Sequence, residues 1–225
     1  MAVNALSEPL GAPQPQRKTG LLGGSFDPVH LTHIALARQA LETLRLDGVD
    51  LIPAANPWQR APLAAAPGHR LAMLALAVRK EPALHVNPIE IQRSGPTYTI
   101  DTLRALPKGP QYVWILGSDQ LERFCSWHQW ETLLEYVELA VAARPGSAVQ
   151  PPAAVQRQLE HLGKPLHTLP LPPSTVSATT IRERLGRGES TQGLLDEAVA
   201  AYIQAHGLYG SHKTHHFKNT YPLKT

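Results

Sequence analysis

A doubly wound α/β domain built on a parallel sheet is the fold class that this sequence predicts. Three observations carry the expectation. Short apolar runs of strand type alternate with amphipathic stretches of helical period along most of the chain. The 225 residues are 43% hydrophobic, enough to fill one core of ordinary size. A glycine pair, Gly23-Gly24, separates the first apolar run from the first long helical pattern. Sheets of this class bind ligands in that kind of turn, at the C-terminal ends of their strands.

The strand-type runs fall at 20–22, 49–52, 84–91, 112–116, 139–143 and 166–171. Between the first two, the stretch 31–46 places Leu31, Ile34, Leu36, Ala37, Leu41 and Leu44 close to a 3.6 period, which predicts a helix. The stretches 68–80, 99–106 and 130–137 read the same way. Segment 150–163 opens on Pro151-Pro152 and is read as a surface helix or excursion. A last helix is expected over 194–205, with Gly207 as its terminating glycine. These elements make a single domain at 19–210. The Pro-spaced segment 1–18 reads as a disordered leader, and 211–225 as a flexible basic tail. His212, His215 and His216 in that tail have no carboxylate or cysteine beside them, so no metal site is expected there.

The formal charge of +3 leans toward anionic ligands and falls far short of a nucleic-acid-coating protein. No apolar run approaches the roughly 20 residues that span a bilayer, and the first residues lack a signal-peptide pattern. The single cysteine, Cys125, cannot form an internal disulfide, which points to a reducing, cytoplasmic compartment. A homo-oligomer is left open.

The stretch Gly23-Gly24-Ser25-Phe26-Asp27-Pro28-Val29-His30-Leu31-Thr32-His33 joins the first strand to the first long helix. A glycine pair there lets the backbone turn sharply and approach a ligand closely. Ser25 adds a hydroxyl, and the helix N-terminus aims free N–H groups into the turn, so phosphate is the natural occupant. His30 and His33 are spaced to share a helix face, where they would donate to the oxygens of a phosphoryl group under attack. Helix capping and zinc binding are the competing readings of the pair.

A second stretch, Val176-Ser177-Ala178-Thr179-Thr180-Ile181-Arg182, offers Ser177 and Thr179 as N-caps of a helix running to Leu185 and ended by Gly186. Arg182 adds a forked, permanent charge suited to phosphate. Alone, this would be an ordinary capped surface helix.

Together the two stretches resemble the H-x-G-H and Ile-Ser-Ser-Thr-x-Ile-Arg signatures of the nucleotidylyltransferase superfamily. The Gly-Gly-Ser-Phe-Asp-Pro-Val-His form is similar to its nicotinate-nucleotide branch. Thr32 stands where the family usually has glycine, and Val176 and Ala178 replace an Ile and a Ser. The resemblance spans about 19 to 209 and implies a Rossmann-like doubly wound sheet. It implies transfer of AMP from ATP to nicotinate mononucleotide in NAD biosynthesis, with Mg²⁺ carried by ATP and no protein metal site. Catalytic roles then fall to His30, His33 and Arg182. ATP contacts fall to Gly24, Ser25, Phe26, His30, His33, Gly117, Asp119, Ser177, Thr179 and Arg182.

Three more segments carry the resemblance toward the acceptor. Pro96-Thr97-Tyr98-Thr99 precedes a helix whose free N–H groups suit a nicotinate carboxylate, giving Tyr98 and Thr99 as substrate contacts. Gly117-Ser118-Asp119 ends a strand, with Asp119 placed for ribose hydroxyls. Trp127 follows, to stack on the pyridine ring or to pack in the core. Arg144, in Arg144-Pro145-Gly146, is expected to contact substrate phosphate. Arg60 is expected to do the same, although Pro57-Trp58-Gln59-Arg60 departs from the relatives' Pro-Pro-His-Lys. The rival readings are a sister transferase taking nicotinamide mononucleotide or pantetheine phosphate, and a nucleotide-sensing module on the same fold. A missing histidine or a basic stripe would favour the module; both histidines are present.

Overall fold

The chain runs β1 (Lys18–Gly24), α1 (Leu31–Leu44), β2 (Gly48–Pro53), α2 (Pro67–Val78), β3 (Leu84–Val86), α3 (Thr99–Ala105) and β4 (Gln111–Gly117). It continues with α4 (Ser118–Glu122), α5 (Trp130–Tyr136), β5 (Val137–Ala143), α6 (Ala153–Leu162), β6 (Leu166–Pro170), α7 (Ala178–Gly186) and α8 (Glu197–Ala205). This is a computed structural model, and it describes residues 16–55, 62–93, 95–143, 148–170 and 176–210. Leader residues 1–15, the tail 211–225, Trp58, Gln59, Arg60 and Arg144 therefore lie outside the described residues.

All six strands are parallel, in the order β3-β2-β1-β4-β5-β6. Successive strand residues point to opposite faces. Leu22 and Ile115 accordingly join Ile34 and Ala37 of α1, Met73 of α2, Ile181 of α7 and Val199 of α8 in one core. Leu21, Trp114 and Leu116 join Ile100 of α3, Leu133 of α5 and Leu159 of α6 in the other. Both faces are thus covered, as a parallel sheet requires. The strand order reverses between β1 and β4, and the crevice above their C-terminal ends is where such sheets bind ligands.

Three boundaries depart from the sequence expectation for a local reason. β3 stops at Val86, well short of residue 91. Asn87 N–H makes a last bond to Leu51 O at 3.0 Å, Pro88 has no N–H to give, and Asn87 Oδ1 turns the chain by accepting Ile89 N–H at 3.2 Å. Helix α1 ends at Leu44, because Arg45 turns left-handed with φ 51° and Leu46 drops into the core. Helix α8 begins only at Glu197, where the Asp196 carboxylate accepts Ala198 N–H at 2.9 Å. Gly207, with φ 60°, ends it as expected. The short α4 and a 3₁₀ turn at Phe124–Ser126 were not expected. Segment 150–163 resolves into α6, closed by Gly163 at φ 61°.

Candidate active site

The glycine pair sits inside β1 with no positive φ, so the sharp turn expected of it is absent. Its glycines serve packing instead. A Cβ on Gly23 would stand 2.8 Å from the Trp114 ring, and one on Gly24 would stand 3.1 Å from the Phe26 ring. Phe26 carries the turn, with φ 46°, and is buried with its ring edge against His33 at 4.9 Å. It supports an imidazole and is not among the residues lining the cavity that His33 borders.

His30 is the N-cap of α1, and its N–H donates to His33 Nδ1 at 3.2 Å. The two rings stack at 3.7 Å between centroids. Because a backbone N–H can only donate, Nδ1 of His33 accepts, and the neutral ring carries its proton on Nε2. His33 lines the cavity and so brings a donor to it. His30 lies buried beneath it, and burial lowers its pKa from 6.5 to about 4. Its Nδ1 has no hydrogen-bond partner among the described residues. The capping reading thus describes one nitrogen of His33, which holds the helix start, and the proton of the neutral ring sits on the other.

Two residues that sequence reasoning missed hold this loop. Asp27 is 2% exposed, and its carboxylate accepts Ala64 N–H at 2.7 Å, Ala65 N–H at 3.0 Å and the Tyr209 hydroxyl at 2.7 Å. Arg70 of α2 is fully buried; it donates to Ser25 O at 2.8 Å, Ala65 O at 3.3 Å and Ala55 O at 3.5 Å. The only sequence signal was a charged residue on the apolar face of a predicted helix.

In the second stretch, Ser177 alone caps α7, accepting Thr180 N–H at 3.1 Å. Thr179 is exposed and accepts from Arg182 Nη2 at 3.2 Å. Arg182 Nη1 donates to Asp27 O at 2.8 Å, so the two stretches meet across 155 positions of sequence. The helix runs on through Gly186, one residue past its expected end.

One cavity of about 280 Å³ connects the rest. It is lined by Gly24, Ser25 and His33 at one end, Gly117 and Gln120 at the tip of β4, and Tyr98, Thr99 and Trp127 beyond. Asp119 is exposed, and its carboxylate folds back over Gly117 to accept from Gln120 Nε2 at 3.0 Å. Trp127 packs as the core reading expects, its ring at 5.2 Å on Phe124 and edge-on to Trp114 at 6.1 Å, and it also lines the cavity. The lining also includes Glu90 and His128, neither singled out by the sequence. Glu90 is buried, accepts the Thr102 hydroxyl at 2.7 Å, and has its pKa raised by burial.

Residues 21–184 match the cytidylyltransferase-like family model. The probable nicotinate-nucleotide adenylyltransferase of Bordetella petrii is 59% identical over 193 residues, covering 86% of this chain and 99% of that protein. This chain belongs to the nicotinate-nucleotide adenylyltransferase family. The family member from Methylibium petroleiphilum is 39% identical over 203 residues, covering 87% of this chain and 93% of its own. The fold recurs in the Plasmodium falciparum nicotinic acid mononucleotide adenylyltransferase complexed with NaAD, at TM-score 0.69 and 17% identity over 87% of this chain and 98% of that one. Residues 21–184 leave out α8 and Tyr209, the C-terminal partner of Asp27. Among the described residues, no helix is long and apolar enough to cross a membrane.

Proposed function

We propose that the chain transfers AMP from ATP to nicotinate mononucleotide, forming nicotinate adenine dinucleotide and releasing pyrophosphate in NAD biosynthesis. The observation that carries this reading is the single cavity lined both by the β1 loop with His33 and by Tyr98, Thr99 and Trp127. A phosphate-binding end and an aromatic end in one space suit the joining of a pyridine mononucleotide to an adenylyl group.

In the step itself, an oxygen of the mononucleotide's 5′-phosphate attacks the α-phosphorus of ATP, and the bond to the pyrophosphate oxygen breaks in line. Catalysis is positioning together with stabilisation of charge on the non-bridging oxygens. His33 Nε2–H donates to such an oxygen, with His30 neutral behind it. Gly24 and Ser25 supply backbone to the phosphates. Arg182 has five N–H donors; the two bonds to Asp27 O and Thr179 aim its fork and leave others for the β- and γ-phosphates. Ser177, Thr179 and Arg182 do not line the cavity, so the polyphosphate lies at its mouth. Asp119 and Gly117 border the ribose. Mg²⁺ enters as part of the ATP substrate, because it commonly keeps phosphate and water ligands.

Pyrophosphate release from ATP, with nicotinate and nicotinamide mononucleotides offered separately, tests the reading. The nicotinate form should be favoured by about 10²-fold in kcat/KM, the scale of one or two charge-assisted hydrogen bonds. Equal use of both would move the acceptor to the neutral amide, and failure of both would remove the pyridine reading altogether.

A further inference from the structure

We propose that Tyr209 is a positioning residue of the transfer: its hydroxyl, acting through Asp27, sets the carbonyl that aims Arg182 at the ATP polyphosphate. The inference rests on Arg182 gripping that polyphosphate. Tyr209 is not among the residues lining the cavity, and it reaches the site only through Asp27.

Two bonds to different parts of Asp27 make the connection. The Tyr209 hydroxyl donates to Asp27 Oδ1 at 2.7 Å. Arg182 Nη1 donates to the backbone oxygen of the same residue at 2.8 Å. Asp27 is buried, so its carboxylate cannot turn out to water for other partners. A side chain held at one end and a carbonyl engaged at the other fix the peptide between them. Burial first, and then the bond to Asp27, push the Tyr209 hydroxyl above the ordinary tyrosine pKa, so it stays protonated and stays a donor. The charges of Arg182 and Arg70 also act on that hydroxyl, in the opposite sense.

The backbone at Tyr209 is shaped to deliver the hydroxyl. Its φ is 58°, in the left-handed region that disfavours a side chain. Gly207 and Gly210 take the same sign, at 60° and 75°. Glycine adopts this conformation freely, yet position 209 carries a tyrosine, and its side chain is what holds Asp27. Unfavourable backbone of this kind persists only where the surroundings fix it. The turn Leu208–Gly210 also packs on the helix that carries Arg182. A Cβ on Gly186 would lie 3.7 Å from the Tyr209 carbonyl oxygen, and one on Gly210 would lie 3.6 Å from Gly186 Cα. Arg182 stands about one helical turn before Gly186. The C-terminal turn thus touches both sides of the Arg182 bond: the helix that brings the guanidinium and the residue that receives it.

Tyr209→Phe isolates the hydroxyl. It keeps the ring, and each Asp27 oxygen retains a backbone donor, Ala64 N–H or Ala65 N–H. Steady-state kinetics on wild type, Tyr209→Phe, Arg182→Lys and the double variant form a cycle. Tyr209→Phe should raise the KM for ATP about threefold to tenfold, the scale of one hydrogen bond, and leave the KM for nicotinate mononucleotide within about twofold. In the Arg182→Lys background the same change should cost less than about twofold, because the fork that it aims is gone. Unchanged ATP kinetics in Tyr209→Phe overturn the proposal. So does a full further loss in the Arg182→Lys background, which would place the effect elsewhere. An equal rise in both KM values, or a Tyr209→Phe chain that shows no folded state in a urea titration, overturns it too, since either would make Tyr209 a general support. Arg182→Lys with wild-type use of ATP overturns the underlying reading instead.

Discussion

The two ends of the cavity hold their donors in different ways. At the end bordered by the β1 loop the groups are locked by buried polar side chains. Asp27 and Arg70 together tie the β1 loop, the turn before α2 and the C-terminal Tyr209 into one unit, and Arg182 joins it through the Asp27 carbonyl. At the end bordered by α3 and the turn after α4 the lining is aromatic and partly open: Tyr98 and Trp127 are half-buried and His128 is exposed. Charge that develops during phosphoryl transfer is stabilised only by dipoles already in place, whereas a flat ring is gripped by contacts that tolerate small shifts. Substitutions at the first end should therefore act on stability and kcat, and those at the second on KM and substrate choice.

The largest break in that comparison should come from Arg70→Met. It leaves the Ser25, Ala65 and Ala55 carbonyls without their donor, and loss of such a buried charged partner costs about 3–5 kcal/mol. Urea unfolding would measure it, and a loss below about 1 kcal/mol would mean that the loop is not held from α2. Next comes His33→Asn, whose oxygen can still accept the His30 N–H while the Nε2–H donor is gone. Turnover should drop about 10²-fold or more with the unfolding midpoint nearly unchanged. Normal turnover would sink the donor role.

Arg182→Lys should raise the KM for ATP about tenfold, since an ammonium cannot hold Asp27 O and Thr179 and still present a fork to phosphate. The KM for the mononucleotide should stay put; equal rises for both would point to a general loosening of the loop. The smallest effect is a pH slope. Burial holds the His30 pKa at about 4, below the ordinary 6.5. Below pH 6.5 the unfolded chain binds a proton that the folded His30 refuses, so stability falls as pH drops from 6.5 toward 4. Between pH 7 and 5.5 this amounts to about 1 kcal/mol, and His30→Asn should remove that part of the slope. A variant with the wild-type slope would show that His30 is not the group responsible.

The motifs were legible because their chemistry is local. Ser177 caps α7 by a bond to Thr180, three positions on, and His30 pairs with His33 across the same interval; spacing of this kind is written in the sequence. Thr179 was read as a second cap, but its hydroxyl faces Arg182 within the helix that Ser177 begins. The sharp turn expected of the glycine pair is absent, and what demands glycine at position 23 is the Trp114 ring arriving from β4. Glu90 and His128 gave no signal, because each enters the cavity only after β3 has been set beside β2 and β4 beside β1.

By itself, then, the sequence determined the class of fold and the two stretches that Arg182 and Asp27 bring together. Alternation of strand and helix period decides which face of each element is apolar, and that follows from near neighbours. Only the tertiary structure decided which polar groups are buried together. Asp27 meets Tyr209 across 182 positions and Arg70 meets Ser25 across 45. A buried donor or acceptor must find a partner wherever the packed chain supplies one, and no local pattern records where that will be.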